Sequence, residues 1–285
     1  MLIYLVTLSN GIIKAEIIEK GAEIRRLTVN GEDRFWSGDP EIWGGVAPVL
    51  FPNCGGMKDD KYTLNGKEYN IIKHGFAKNM VFEVESQSSN SAVFLLKDTE
   101  ETLKSYPWHF EFRIKYTLVA ASVKVEYDIK NTSDTPMYAA VGGHEAYSCP
   151  EGVEDYDVIF EKKETLRSIQ VENGILTRNT ETVLFESDTL PLYNKYFEID
   201  ALVLTDLKSR FVTLRNRKNG KSVSVSFGDF DYLLIWTIPE APYVCIEPWT
   251  APPSYEDEGY DITKKEGTTK IAPSESFKTK HIIYF

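Results

Sequence analysis

The sequence predicts an all-β fold, built as a sandwich or barrel of short antiparallel strands. Apolar and polar residues alternate with a period of two over residues 110–118 and again over residues 123–129, the pattern of strands with one buried and one solvent-facing side. A short link that contains residues 119–121 lies between the two segments, so we expect an antiparallel hairpin. Helical periodicity is sparse, and many short strands joined by turn-rich loops are typical of sandwiches and barrels.

A second hairpin is expected where residues 211–214 and 223–227 flank the pair Asn219-Gly220, because this dipeptide tolerates the positive φ of a tight turn. Residues 98–101 can cap one short helical turn, which must end before Pro107. The further strand candidates share an enrichment in β-branched and aromatic residues; they are residues 12–18, 81–84, 93–96, 158–160, 201–204, 232–238, 244–246 and 281–284.

Length and composition indicate one globular domain over residues 1–285. Hydrophobic residues make up 42% and charged residues 26% of the chain, which is average for globular proteins and indicates neither disorder nor a fibrous repeat. A net charge of −11 argues against a nucleic acid partner, since phosphate binding depends on clustered Lys and Arg. The aromatic content of 13% suits a core of stacked sheets and also a site that covers the apolar face of a sugar ring.

The cysteines and the N-terminal segment predict a cytoplasmic protein with no membrane partner. Cys54, Cys149 and Cys245 are odd in number and widely spaced, so neither a disulfide framework nor a zinc ribbon is expected. Residues 1–5 show no basic stretch and no small-residue cleavage site, unlike a signal peptide. No apolar run approaches the roughly 20 residues that span a bilayer.

Histidine occurs at four positions, which narrows the search for acid–base groups. His109 lies at the mouth of a predicted strand, and His281 falls in the polar phase of the last one. We expect both to be structural or surface residues. His74 stands beside Gly75, where the backbone can bend.

His144 follows Gly142 and Gly143, which allow the backbone to bend and a neighbouring group to approach closely. A side chain at such a point can project into a cleft, although a hydrogen-bonded structural imidazole at a strand end fits the same pattern. The following Glu145 suggests an H-E-x-x-H zinc motif, but Ser148 stands in place of the second ligand. Zinc is therefore not expected.

Glu247 ends an apolar strand candidate at the point where Pro248 is expected to break the strand ladder. Burial there would raise the pKa of the carboxyl group towards neutrality and make it a competent base. The alternative is a carboxylate that accepts backbone N–H bonds and ties down a loop. Asp200 and Asp206 flank another strand candidate, and either could face a ligand or simply solvent.

Sequence fingerprints of other enzyme classes are missing: the chain has no G-x-S-x-G elbow, no P-loop and no G-x-G-x-x-G segment. The sequence therefore does not indicate a serine hydrolase, a nucleoside triphosphatase or a dinucleotide-binding enzyme. Any chemistry must come from histidines and carboxylates, with no cofactor.

Four segments, in order, resemble the galactose mutarotase-like superfamily, and specifically the LacX-like branch of the aldose 1-epimerases. They are P-V-L-F-P-N-C-G-G at 48–56, H-G-F-A at 74–77, G-G-H-E-A-Y at 142–147 and C-I-E-P-W at 245–249. One such block would be a weak signal, but four in the family's order are a strong one. The resemblance covers nearly the whole chain.

The resemblance implies a large antiparallel β-sandwich, the galactose mutarotase-like supersandwich, with a sugar cleft on one face. It implies a mutarotase that interconverts the α and β anomers of an aldohexose such as galactose or glucose, as a monomer or homodimer. In that family the glutamate matching Glu247 takes the proton of the anomeric hydroxyl, while the histidine matching His144 protonates the ring oxygen. His74 matches a second histidine that hydrogen-bonds the sugar near the ring oxygen, and Asp200 an aspartate that holds sugar hydroxyls.

The chain departs from the family's pattern beside the site. Lys78 replaces an arginine that is common after the second block, which keeps the charge but loses the bidentate fork. Met57 stands where relatives often carry a basic residue, and Glu145 stands where proline is frequent. Lys78 and Trp249 are expected to contact the sugar, whose identity, phosphorylated or not, these changes leave open.

Two other functions fit parts of the pattern. A carbohydrate-binding or sugar-sensing protein without catalysis would have a similar aromatic cleft, but the joint presence of His74, His144 and Glu247 argues against it. A glycosidase could use Glu247 and Asp200 as paired carboxylates, but would leave two glycine-flanked histidines unexplained.

Overall fold

The computed structural model describes residues 5–285. Residues 1–4, which carry most of the segment compared above with a signal peptide, lie outside the described residues. Strands dominate, and the predicted all-β class is confirmed. None of the helices in the described part of the chain has the length and apolarity needed to cross a bilayer.

The strands in the first half of the chain are β1 (Leu5–Ser9), β2 (Ile13–Ile18), β3 (Ile24–Val29), β4 (Glu32–Asp33), β5 (Lys61–Leu64), β6 (Lys67–Asn70), β7 (Glu83–Gln87), β8 (Ser91–Lys97), β9 (Phe110–Val119), β10 (Ser122–Asn131), β11 (Met137–Ala139) and β12 (Glu145–Ser148). The second half contains β13 (Tyr156–Glu172), β14 (Ile175–Pro191), β15 (Leu202–Leu204), β16 (Phe211–Asn216), β17 (Ser222–Ser226), β18 (Tyr232–Trp236), β19 (Tyr243–Trp249), β20 (Thr269–Ile271) and β21 (Ser276–Tyr284). Helix is limited to α1 (Thr102–Ser105) and to 3-10 turns at Lys58–Asp60, Ala77–Asn79, Val153–Asp155, Asn194–Phe197 and Ile262–Lys264.

One large antiparallel sheet organises the molecule. Its strand order is β12-β19-β18-β15-β13-β16-β17-β21-β10-β9-β8-β7, with β14 paired to β13. Strands β1 to β4 form a second sheet, and β5-β6 and β11-β20 form two small ones. The two predicted hairpins are confirmed as β9-β10 and β16-β17, and Gly220 in the second turn has a φ of 74°.

The main core contains buried residues of both the large sheet and the sheet of β1 to β4. The alternating residues predicted on β9, which are Phe110, Phe112, Ile114, Tyr116 and Leu118, are all buried. Strands β18 and β19 are buried along almost their whole length, because they pack on two sides. Val244 and Ile246 face the main core, whereas Cys245 and Trp249 belong to smaller clusters on the other face.

The sequence prediction is incomplete, because it did not include the strands β1, β3, β4, β5, β6, β11, β12, β14 and β20. The segment expected at 158–160 is part of the 17-residue strand β13, and its partner β14, also of 17 residues, was not predicted. Most positions of β14 are exposed or half-buried, so it has no apolar alternation to reveal it. The expected helical turn is α1, begun by reciprocal bonds between Thr99 and Thr102.

The expectation that Pro248 breaks the ladder is wrong, because β19 continues through it to Trp249. Pro248 pairs with Leu233 of β18, while its carbonyl accepts from Gly143 N on the opposite side, at 3.1 Å. The N–H and C=O of one strand residue point to the same side. The missing N–H therefore faces the Gly143 segment, ahead of the start of β12, and costs no bond to β18.

The expected polar phase of His281 is also wrong. His281 is 1% exposed and shares the buried phase of β21 with Thr279 and Ile283. His109, by contrast, lies at the surface, where its Nδ1 is 2.7 Å from Asp98.

Candidate active site

A cleft of about 1040 Å³ opens on the outer face of β18 and β19. Its walls come from the loops around residues 43–55, 73–79 and 197–201. It brings together all six residues that the sequence singled out for catalysis or sugar binding: His74, Lys78, His144, Asp200, Glu247 and Trp249. Asp206 does not line it and is exposed, so of the two aspartates only Asp200 faces the cleft.

Glu247 lies on β19 at the floor of the cleft and is 1% exposed. Burial raises the pKa of its carboxyl group well above the usual value, and the nearby charge of Asp200 raises it further. The Lys73 ammonium lowers the pKa of Glu247, but by less than burial and Asp200 raise it. The environment therefore makes Glu247 a stronger base than a solvated glutamate.

His144 faces Glu247, with His144 Nε2 3.4 Å from Glu247 Oε2. Its ring stacks on Trp43, with centroids 5.1 Å apart at 28°, and meets the edge of Trp236 at 5.5 Å. Burial lowers the pKa of the imidazole to about 3, and the positive charges of Lys78 and Lys73 also lower it. Burial thus favours the uncharged form of both members of the pair.

The glycines before His144 are required by close packing rather than by positive φ. A Cβ on Gly142 would stand 2.6 Å from Trp249 Cδ1, and one on Gly143 2.6 Å from Glu145 Oε2. Trp249 Nε1 donates to the Gly143 carbonyl at 3.2 Å. The backbone leading to His144 is therefore clamped against β19.

His74 is held from the opposite wall. It adopts a φ of 68°, and its Nδ1 accepts a hydrogen bond from Gly55 N at 3.2 Å. This bond leaves the N–H on Nε2, which is free to donate to a ligand. The His74 ring meets the rings of His144 and Trp249 edge-on, at 5.6 and 5.5 Å. Burial lowers the pKa of His74 well below its usual value, so the ring is neutral.

Asp200 and the lysines form the polar side of the cleft. Asp200 Oδ2 lies 3.9 Å from Lys73 Nζ, and its Oδ1 accepts from Ala201 N at 2.8 Å. Lys78 Nζ donates to the Lys73 carbonyl at 3.2 Å. No acidic side chain pairs with Lys78 among residues 5–285, and burial lowers its pKa.

Among the cleft side chains that sequence reasoning missed are Lys73 and two residues whose rings contact His144, Trp43 and Trp236. Trp43 precedes the pair Gly44-Gly45, and a tryptophan next to two glycines resembles the signal that drew attention to His144. Trp236 lies in the predicted strand 232–238, where the strand pattern alone does not distinguish a cleft side chain from a core one.

Three side chains near the floor of the cleft could in principle bind a metal ion. His144, Cys245 and Glu247 offer ligand atoms within 4.8 Å of one another. Cys245 does not line the cleft, so only His144 and Glu247 present donor atoms to it. A catalytic zinc site has three protein ligands and an open position for water or substrate. The three residues therefore do not fit a zinc site that opens to the cleft.

The fold and the cleft define a class of protein: an all-β protein with a carboxyl–imidazole pair at the floor of a tryptophan-lined cleft. The aldose 1-epimerase family model matches residues 4–265, and the chain belongs to this family. The resemblance found in the four sequence blocks is thereby confirmed.

Similar proteins support the same assignment. The LacX protein encoded on a plasmid of Lactococcus lactis is 34% identical over 268 residues, which cover 89% of this chain and 90% of that protein. A galactose mutarotase related enzyme from Lactobacillus acidophilus superposes with a TM-score of 0.94 at 35% identity, covering 99% of this chain and 97% of the other. A galactose mutarotase-like protein from Lactobacillus casei gives 0.93 at 27% identity, with 99% of each chain covered.

Proposed function

We propose that this protein is a mutarotase that interconverts the α and β anomers of an aldohexose such as galactose or glucose. The observation that carries the proposal is the buried pair of His144 and Glu247, whose facing atoms are 3.4 Å apart at the floor of the cleft. Ring opening of a hemiacetal needs one group that accepts a proton and one that donates a proton, and nothing else. Membership of the aldose 1-epimerase family supports a sugar as the substrate.

The reaction starts when the Glu247 carboxylate takes the proton of the anomeric hydroxyl. The electron pair of that O–H bond forms the C1=O double bond, the bond between C1 and the ring oxygen breaks, and the ring oxygen takes a proton from His144. Rotation about C1–C2 then presents the other face of the aldehyde. Reclosure with the roles reversed returns both protons and gives the opposite anomer. Each such group contributes roughly 10²–10⁴-fold to the rate.

The two residues act as one unit that holds a single exchangeable proton. In the empty cleft, burial favours a neutral imidazole beside a protonated carboxyl group. Transfer of that proton from Glu247 to His144 gives the working form, an imidazolium beside a carboxylate, with no change of net charge. The proton state therefore belongs to the pair and not to either residue.

The remaining side chains of the cleft hold the sugar. His74, whose Nδ1 is occupied by Gly55 N, donates from Nε2 near the ring oxygen. Asp200 accepts from sugar hydroxyls and Lys78 donates to them. Trp249 presents an apolar face to the C–H side of the pyranose.

Polarimetry of freshly dissolved α-D-glucose and α-D-galactose tests the proposal. The wild type should accelerate the approach to the anomeric equilibrium, and Glu247→Gln and His144→Asn should each lose about 10²-fold or more. Asp206→Asn is the matched control, because this carboxylate lies outside the cleft, and it should keep the full rate. Full activity of Glu247→Gln would exclude Glu247 as the base.

A non-catalytic sugar-binding protein is the second candidate. The tryptophan-rich wall of Trp43, Trp236 and Trp249 favours sugar binding, with or without catalysis. Calorimetry separates the two functions. Sugar binding without any acceleration of mutarotation would support the binding protein, and binding together with acceleration supports the mutarotase.

A further inference from the structure

Glu145 follows the proposed acid His144 in the chain, but its side chain points into the core. Successive side chains of an extended segment point to opposite sides, so Glu145 lies directly behind His144. There its Oε1 forms a hydrogen bond of 2.9 Å with Nε2 of His281. The side chains of Glu145 and His281 are only 5% and 0% exposed.

The bond between Glu145 and His281 joins two distant parts of the sheet. Glu145 belongs to the edge strand β12, and His281 to β21; strands β19, β18, β15, β13, β16 and β17 lie between them in the sheet order. Contact at 2.9 Å is possible only because the curled sheet brings the two strands face to face across the core. The register neighbours Ile246 and Val125 are fully buried.

The pair also contacts the backbone that carries His144. A Cβ on Gly143 would stand 2.6 Å from Glu145 Oε2 and 3.0 Å from His281 Cε1, so both side chains pack against this glycine. On its other side Gly143 is held by Trp249 Nε1 and by the Pro248 carbonyl. A displacement of the pair therefore displaces the peptide that precedes His144.

Glu145 also lies close to the catalytic base, because it pairs in register with Ile246, the residue that precedes Glu247 on β19. The Glu145 carboxylate raises the pKa of Glu247, in addition to the larger effects of burial and Asp200. The other charged or titratable groups that interact with Glu247 or with Glu145 are Lys73, His144, Cys54, Cys245, Tyr116, Tyr127, Tyr147 and Tyr243.

Stability alone is a poor reason for an ionisable pair at this position. Within residues 5–285, Glu145 Oε2 and His281 Nδ1 are buried without a hydrogen-bond partner, as are the hydroxyls of Tyr127 and Tyr147. Apolar residues of similar volume generally hold a core together at least as well as a buried ion pair does. The pair therefore calls for a role beyond packing.

We propose that Glu145 and His281 are positioning residues of the acid–base site: their bond fixes the backbone that carries His144 and places a negative charge behind Glu247. This inference rests on the proposed mutarotase function. Neither residue touches the sugar, since neither lines the cleft. Their effect is exerted through His144 and Glu247.

The positioning role is tested by a double variant, Glu145→Leu with His281→Leu, which removes both polar groups without leaving one charge buried alone. We expect a folded protein whose kcat falls by about 10- to 100-fold, because small misplacement of a catalytic group has effects of this size. KM should change by less than about threefold, since the sugar contacts remain. A double variant with native melting behaviour and wild-type kcat would overturn the proposal.

The electrostatic role is tested by Glu145→Gln, which keeps the size of the side chain and an acceptor for His281. The Glu247 carboxyl, followed by ¹³C NMR and assigned with Glu247→Gln, should titrate at lower pH than in the wild type, because a nearby negative charge is gone. The matched control is Glu164→Gln. Glu164 is also buried and accepts from Ser209 N at 2.7 Å, but it is not among the charges that act on Glu247, so its loss should leave that titration unchanged.

The NMR readout does not depend on turnover, so the two proposals can fail separately. An unchanged Glu247 titration in Glu145→Gln overturns the electrostatic role even if the enzyme is active. A wild type that accelerates mutarotation of no sugar overturns the proposed function, while the titration still reports whether Glu145 acts on Glu247. A shift of equal size in Glu164→Gln would also count against the pair, because the effect would then not be specific to it.

Discussion

His144 and Glu247 illustrate, at the scale of single residues, how burial creates reactivity. Neither side chain is unusual in itself, and both are common in solvent. In the cleft, burial lowers the pKa of His144 and raises the pKa of Glu247. The imidazolium form of His144 is therefore a stronger acid than in solvent, and the carboxylate of Glu247 is a stronger base. In the proposed reaction, an acid and a base whose facing atoms are 3.4 Å apart share one proton and can serve either direction of an anomeric interconversion equally well.

The paired titration predicts the pH dependence of kcat/KM. In the proposed mechanism the pair holds one proton, so activity should fall at low pH when the pair binds a second proton at His144, whose pKa is about 3. It should fall at high pH when the shared proton leaves Glu247, whose pKa is raised well above 4.5. The profile should therefore be bell-shaped.

A substitution of Lys73 should shift the pH profile of kcat/KM. Its ammonium lowers the pKa of both Glu247 and His144, so Lys73→Gln should shift both limbs of kcat/KM to higher pH. Lys20→Gln is the control, because Lys20 lines the same cleft but is not among the charges that act on either group. Limbs that stay in place in Lys73→Gln would contradict this account of the pair.

At the scale of elements, the site depends on short irregular segments held against regular strands. Glu247 is carried by β19, whereas His74 is carried by a loop that bends sharply at Gly75. Gly75 has a φ of 68°, and a Cβ there would stand 2.1 Å from the Phe51 carbonyl oxygen. The loop therefore approaches the backbone at 51–52 as closely as only glycine allows.

Gly75→Ala should accordingly destabilise the protein and raise KM for the sugar, because His74 would be displaced. Gly66→Ala separates the two causes: Gly66 has a φ of 78° but open space around it, so it should cost only the backbone strain of about 1–2 kcal/mol. Urea denaturation and polarimetry measure both effects. If both variants lose the same stability and keep wild-type KM, the close approach at Phe51 has no functional importance.

The elements also show what the sequence could and could not predict. Alternation revealed β9 and β10 because each has one wet and one buried face. It missed β14, which is largely exposed on both faces. The blocks around His74, His144 and Glu247 were found because glycine or proline stands beside the polar residue. The contact of Glu145 with His281 was not found, because it joins residues 136 positions apart through a curvature of the sheet that no local pattern encodes.

At the scale of the whole molecule, the cleft and the core are connected through Phe51. Its ring stacks on Phe112 of β9 with centroids 4.5 Å apart, and its backbone carbonyl accepts from Ala77 N, beyond His74 in the same loop. The wall of the cleft that carries His74 is thus attached to the centre of the main core. Core packing should therefore influence sugar binding, even though neither Phe51 nor Phe112 lines the cleft.

Phe112→Ala tests this connection. Phe112 is fully buried, so its truncation should lower the free energy of unfolding by about 3–5 kcal/mol and, by releasing Phe51, raise KM in the molecules that remain folded. Phe185→Ala removes the same side chain from a site that is 70% exposed, and should change stability by less than about 0.5 kcal/mol. Urea denaturation gives the first effect, and polarimetry at a temperature well below the transition gives the second. A Phe112→Ala protein that is destabilised but keeps the wild-type KM would show that the cleft wall is held independently of the core.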